Sequence, residues 1–154
     1  MKVAVANREQ EKLTASVHER IPFARQLGIE AIECSPSRVR ARLHWTGELC
    51  TDAGALHGGA LMALADVCGG ICAGLNLPAG SPGTTTIESK TNFLRPVRAG
   101  HVDAVSEPLH VGRTTIVVQT DLFDPSGRRA ARVTQTQTVL QRGERSRPSA
   151  EGQQ

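Results

Sequence analysis

The segment from His57 to Asn76 constrains this chain more than any other. It has no Lys, Arg or Glu, carries a single carboxylate at Asp66, and runs into Leu77-Pro78-Ala79-Gly80, a helix-stop sequence. Leu61, Leu64, Cys68, Ile71 and Leu75 recur at spacings of 3, 4, 3 and 4, which predicts one long helix with a bulky apolar stripe. At about 100° per residue, Gly59, Met62, Ala63, Asp66, Gly69, Gly70 and Ala73 fall on the opposite side. A bulky face packs into a curved sheet, and a face of small residues lets something else approach closely. Length, apolarity and Gly70-xxx-Gly74 also admit a bilayer span. Asp66 near the middle and His57 at the start count against that, so no membrane partner is expected.

Outside this helix the period is helical at the N-terminus and changes to that of strands from Gly28. Leu13, Val17, Ile21 and Ala24 predict a short N-terminal helix within 7–27, bent at Pro22. The segment 1–17 is then an N-terminal helical addition to a domain at 18–141. Strands are expected at 29–34 and 38–45, joined by Ser35-Pro36-Ser37, with a loop over 46–56 before the helix at 57–76. Four more follow at 84–95, 101–109, 113–123 and 128–140, the last two joined by Asp124-Pro125-Ser126-Gly127. Residues 142–154 contain no apolar run and are expected to form a disordered tail. This order predicts an α+β fold, with one long helix against an antiparallel sheet of about six strands.

Composition bears on whether one copy suffices. The 154 residues make one domain, yet they include three Phe, one Trp and no Tyr against 15 Gly. Large rings supply much of the buried area of most cores, so burial against a second copy is expected. The net charge of +3 is scattered along the chain, without the basic stripe and stacking aromatics that a nucleic-acid partner requires. Cys34, Cys50, Cys68 and Cys72 form no CxxC pair and have no His pair at ligand spacing, so no metal and no cofactor are expected. The first residues are too short an apolar run for a secretory signal. Reduced thiols in the cytoplasm follow as the expectation. Cys68 on the bulky stripe and Cys72 near its edge predict buried thiols rather than nucleophiles.

Two features of the helix carry chemistry. Asp66 is either a solvated surface carboxylate or a group at a site or interface; its neighbours on that face are Gly, Ala and Met, not Lys and Glu. His57-Gly58-Gly59 is either a tight entry into the helix or a place where open backbone N–H groups and the helix dipole hold a carbonyl oxygen. Gly58 and Asp66 are separated by eight residues, about 12 Å at 1.5 Å per residue. Reacting atoms must lie about 3–3.5 Å apart. If both motifs act together, a second helix must lie antiparallel across a two-fold axis, with each Asp66 facing the other chain's Gly58.

Leu56-His57-Gly58-Gly59-Ala60-Leu61-Met62-Ala63-Leu64-Ala65-Asp66, followed by Asn92-Phe93-Leu94-Arg95-Pro96-Val97-Arg98-Ala99-Gly100, resembles the PaaI-type acyl-CoA thioesterases of the hotdog fold. The resemblance covers roughly 20–141 and extends to the phenylacetate-pathway and Arthrobacter-type 4-hydroxybenzoyl-CoA thioesterases. It implies a long helix wrapped by an antiparallel sheet, homodimers with sites at the subunit interface, and often homotetramers. It implies that Asp66 is the catalytic acid group, acting as nucleophile or general base. Gly58 is then the glycine whose N–H polarises the thioester carbonyl, with His57 and Gly59 at the helix mouth and Thr86 beside the attacking water or carboxylate. Many members carry Asn or Gln near position 51; here Thr51 or Asp52 stands in that loop.

Hydrolysis of an acyl- or aryl-CoA thioester is therefore the expected activity. Arg95, Arg98, Arg113 and Arg128 are the candidates for the CoA phosphates by their places at strand ends. Two alternatives share the fold: an enoyl-CoA hydratase using His57 with an acidic partner, and a non-catalytic acyl-CoA-binding protein.

Overall fold

The computed structural model describes residues 2–141. The expected tail at 142–154 lies outside them. Among the described residues, α1 (Lys2–Arg20) and α2 (Pro22–Gln26) precede β1 (Glu30–Cys34) and β2 (Val39–His44). The central helix α3 (Gly58–Leu75) is followed by β3 (Thr84–Phe93), β4 (His101–Val111), β5 (Thr115–Phe123) and β6 (Arg129–Val139). The six strands form one antiparallel sheet in the order β1-β2-β4-β5-β6-β3. Helix α3 packs on one face of it, against β2 through β6. Its length and apolarity would suffice for a bilayer span, but its apolar side forms the core with the sheet.

Local chemistry explains most boundaries. The Ser35 hydroxyl donates to Arg38 O and accepts from Arg38 N–H, closing the β1–β2 turn. Asp124 accepts from the N–H groups of Ser126 and Arg128 in the β5–β6 turn. Proline sits at the start of α2, where its missing N–H costs nothing, so the bend falls at Ile21, immediately before Pro22. Helix α1 continues past position 17 to Arg20. The loop at 46–56 contains a short 3-10 turn, Gly47–Leu49, and a bridge between Cys50 and Leu56.

The contact line along α3 departs from the sequence spacing. Leu61, Leu64 and Cys68 are buried, but Ile71 is half-buried and Leu75 is 41% exposed. Ala65, Gly69, Cys72 and Ala73 face the core instead. A seven-residue repeat drifts by about 20° per heptad on a straight helix, and over two heptads that shift replaces Leu75 by Cys72. Gly69 and Ala73, expected on the open face with Asp66, are therefore buried. The outward face consists of Met62, Ala63, Asp66, Gly70 and Gly74. Burial pushes the Cys72 thiol up to about 11 and the Cys68 thiol further still. Neither is a nucleophile at neutral pH.

The two sheet edges are treated differently. At β1 the side chains of α1 occupy backbone groups: Thr14 Oγ1 bonds both Ala31 N–H (3.0 Å) and Ala31 O (3.2 Å), and His18 Nε2 lies 2.7 Å from Ile29 O. At the other edge β3 pairs, among the described residues, only with β6. It is ten residues long, contains no proline and leaves Ile87 63% and Phe93 53% exposed. Such an edge is a template for another strand.

Across β5 and β6, Asp121 accepts from Arg132 Nε (2.7 Å) and Nη2 (2.8 Å) and from Arg129 Nη2 (3.1 Å). The Arg132 hydrogen bonds, aided by both guanidinium charges, hold its carboxyl below the usual range despite partial burial. The unfolded chain then binds the proton more readily. The group's contribution is complete above the unfolded value of about 3.9 and disappears as pH falls through the lower folded value. Asp121→Asn is expected to flatten the rise of Tm with pH across that acid window. Melting curves at pH 2.5 to 6 check this, and a slope equal to the parent's contradicts it.

Candidate active site

The N-terminus of α3 is organised by His57. Its Nδ1 accepts from Gly59 N–H at 2.9 Å, capping the helix and leaving the proton of the neutral ring on Nε2. Its own N–H donates to Leu49 O. The Gly59 N–H is thus engaged within the chain, while the Gly58 N–H has no hydrogen-bond partner among the described residues. The Phe93 ring lies over Gly58, so that a Cβ there would stand 3.0 Å from Phe93 Cζ. Gly58, Leu61, Phe93, Leu94 and Arg95 line a cavity of about 420 Å³. An unpaired N–H at a helix start, under an aromatic ring, is a place for a carbonyl oxygen that acquires charge.

Two turns further along, Asp66 points out of the same helix toward β3. Its Oδ1 accepts from Thr86 Oγ1 at 3.3 Å and from Gln135 Nε2 at 2.5 Å. Thr86 in turn accepts from Gln137 Nε2 at 2.7 Å, and Gln137 Oε1 accepts from Thr84 Oγ1 at 3.3 Å. Oδ2 has no hydrogen-bond partner among the described residues. Asp66 is exposed and lies with Ile21, Phe23, Gly70 and Thr86 on a cavity of about 320 Å³. A carboxylate with one oxygen held by donors and the other open to a cavity can attack a carbonyl or take a proton from water.

The structure brings Asp66 and Thr86 together, and groups Gly58 with Arg95. It keeps these pairs in separate cavities, as the eight-residue separation requires. Thr51 donates its N–H and its hydroxyl to Ala55 O, at 2.8 and 3.4 Å, closing a turn, and lines neither cavity. Arg98 Nη1 donates to Ala53 O in the loop before α3. Arg128 is paired with Asp124 at 2.8 Å, and Arg113 lines neither cavity. Among the described residues no carboxylate pairs with His57. No group of three metal-ligating side chains occurs among them either.

The family resemblance assigns no role to Gln135 or Gln137. They lie on the inward face of β6 between Val133 and Val139, and both are buried. The signal was their phase: two glutamines at strand spacing on an otherwise apolar face must find buried partners.

The model of the thioesterase superfamily matches residues 53–131, just over half of the chain. The chain belongs to the thioesterase superfamily. It is 34% identical over 102 residues to ComA2, an esterase by name, of Bacillus subtilis, covering 66% of this chain and 81% of that one. Over 75 residues it is 39% identical to the 1,4-dihydroxy-2-naphthoyl-CoA hydrolase of Escherichia coli, covering 49% of this chain and 54% of the relative. The crystal structure of thioesterase HI1161 from Haemophilus influenzae superposes with a TM-score of 0.79 at 27% identity, covering 90% and 94% of the two chains. The fold is the hotdog thioesterase fold. Family and relatives together support a hydrolase acting on thioesters.

Proposed function

We propose that this chain hydrolyses an acyl- or aryl-CoA thioester as a homodimer of the PaaI type, each site combining Asp66 of one copy with the Gly58 N–H of the other. The observation that carries this is the division of one helix into two half-sites. Asp66, with one carboxylate oxygen unpaired, lines one cavity, and Gly58, with its N–H unpaired, lines another, about 12 Å away at 1.5 Å per residue. Neither half completes the chemistry alone. The blocked edge at β1 and the open edge at β3 favour association through β3, beside which both half-sites lie. Two such strands meeting antiparallel would bring two α3 helices together in opposite directions. The Gly58 N–H then stabilises charge developing on the thioester oxygen while Asp66 attacks the carbonyl carbon or activates water. Arg95 lines the Gly58 cavity with its Nη1 donating to Arg129 O at 3.0 Å, and its remaining donors are the ones we assign to a CoA phosphate. A pair of such dimers would make the homotetramer.

The space for the acyl group is supported by the outward glycines. A second cavity, of about 210 Å³, lies between α1 and α3 and shares Ile21, Gly70 and Ile71 with the Asp66 cavity. An aliphatic cavity of about 150 Å³ accommodates benzene, so this recess fits an aryl ring or a medium-length chain. A side chain at Gly74 would enter open space on its wall.

The test is release of free CoA from acetyl, medium-chain, benzoyl and phenylacetyl thioesters. Medium-chain or aryl substrates are expected to be the best, and Gly74→Leu is expected to lower their kcat/KM at least about tenfold while leaving acetyl-CoA unchanged. Turnover of none of these thioesters by the parent chain would remove the proposal in favour of a binding protein.

A further inference from the structure

The amide of Gln135 is an unusual thing to find beneath α3. It stands on β6 with its side chain wholly buried, between Val133 and Gln137 on the inward face. Its Nε2 donates to Asp66 Oδ1 at 2.5 Å, while its Oε1 has no hydrogen-bond partner among the described residues. That oxygen occupies the place where Gly69 lacks a side chain: a Cβ on Gly69 would lie well inside van der Waals contact with it. Gly69 is thus a notch in the helix that the amide fills. An apolar side chain on β6 would fill the same space without burying an unpaired carbonyl, a cost that folded proteins generally avoid. Stability alone does not account for the residue.

We propose that Gln135 is a positioning residue for the reaction at Asp66, holding Oδ1 from below through Nε2 so that Oδ2 is the oxygen offered to the substrate or to water. This rests on Asp66 carrying the chemistry. The direction of the amide follows from the charge, because the opposite orientation would set Oε1 against the carboxylate. A second arm reaches the same oxygen: Gln137 donates to Thr86, and Thr86 donates to Oδ1. Both arms converge on Oδ1, and none reaches Oδ2. Two donors from neighbouring strands hold one oxygen of the carboxylate, and the helix is hollowed at Gly69 to admit the first of them.

The experiment compares Gln135→Leu and Gln135→Met with the parent chain, recording kcat and KM on its best thioester and the melting temperature. Both variants are expected to melt within a few degrees of the parent or above it, since the unpaired carbonyl goes with the amide. Their kcat is expected to fall about 10- to 100-fold, since a reacting group misplaced by about 1 Å costs on the order of 100-fold, with KM within about twofold. Combined with Asp66→Asn, Gln135→Leu is expected to lower the rate no further. Parent-like kcat in either folded variant, beside an inactive Asp66→Asn, would overturn the positioning role and leave the catalytic assignment standing. So would a loss of rate that merely follows a loss of folded protein. Full activity of Asp66→Asn would instead remove the catalytic reading beneath it.

Discussion

Asp66→Asn is expected to lower kcat for thioester hydrolysis by about two to four orders of magnitude, the range for loss of a positioned general base, and by more if the carboxylate is the nucleophile. The geometry makes this substitution unusually clean. Asn is the same size, and its carbonyl oxygen accepts from Thr86 and Gln135 as Oδ1 does now. Its amide nitrogen then falls at the Oδ2 position, where it neither attacks a carbonyl nor takes a proton. Asp66 is exposed at the cavity, so exchanging a carboxylate for an amide there disturbs no apolar packing. KM is expected to stay near the parent value, because acyl and CoA groups meet other residues. Steady-state kinetics with free-CoA detection, alongside circular dichroism to show an intact fold, measure both. Activity within a few-fold of the parent in a folded Asp66→Asn protein would eliminate the proposed chemistry.

The parts of this site differ in how far the sequence discloses them, and the reason lies in contact distance along the chain. Helix α3, its stop at Leu77-Pro78 and the Asp124–Gly127 turn are set by neighbours within a few residues, and each falls where periodicity and turn chemistry place it. The phase of α3 is legible only approximately, since the repeat of Leu61, Cys68 and Leu75 is a heptad and the helix is not. Two heptads of drift are enough to bury Gly69 and expose Leu75. Thr86 could be tied to Asp66 only through family resemblance. Gln135, 69 residues from its partner, required the register of β3 against β6, in which Thr86 lies opposite Gln137. No single-strand pattern specifies that register. The use of Thr14 to close the β1 edge is equally hidden, because it depends on where α1 lies after the turn at Ile21.

A shared site makes a prediction that no single-chain site can satisfy. Gly58→Pro deletes the N–H assigned to the thioester oxygen. Proline is favoured at the first position of a helix, and His57 already holds the extended conformation, φ −62 and ψ 138, that a residue before proline adopts. The added ring atoms meet Phe93 Cζ, the far end of its side chain, at 3.0 Å, so a small shift of that ring accommodates them. The variant is therefore expected to fold and dimerise, yet to lose most of its activity, about 100-fold or more for one oxyanion donor. Asp66→Asn chains are inactive for the other reason. When the two are mixed and allowed to exchange subunits, half of the dimers become hybrids at equal concentrations. Each hybrid pairs one intact Asp66 with one intact Gly58 across the interface, and joins the two damaged groups in its second site. Activity is then expected to return to about a quarter of the parent level for a two-fold dimer, from two preparations that are nearly inactive alone. Subunit exchange is followed independently by mass spectrometry of differently tagged chains. If hybrids form and no activity returns, Asp66 and Gly58 do not act across the two-fold axis.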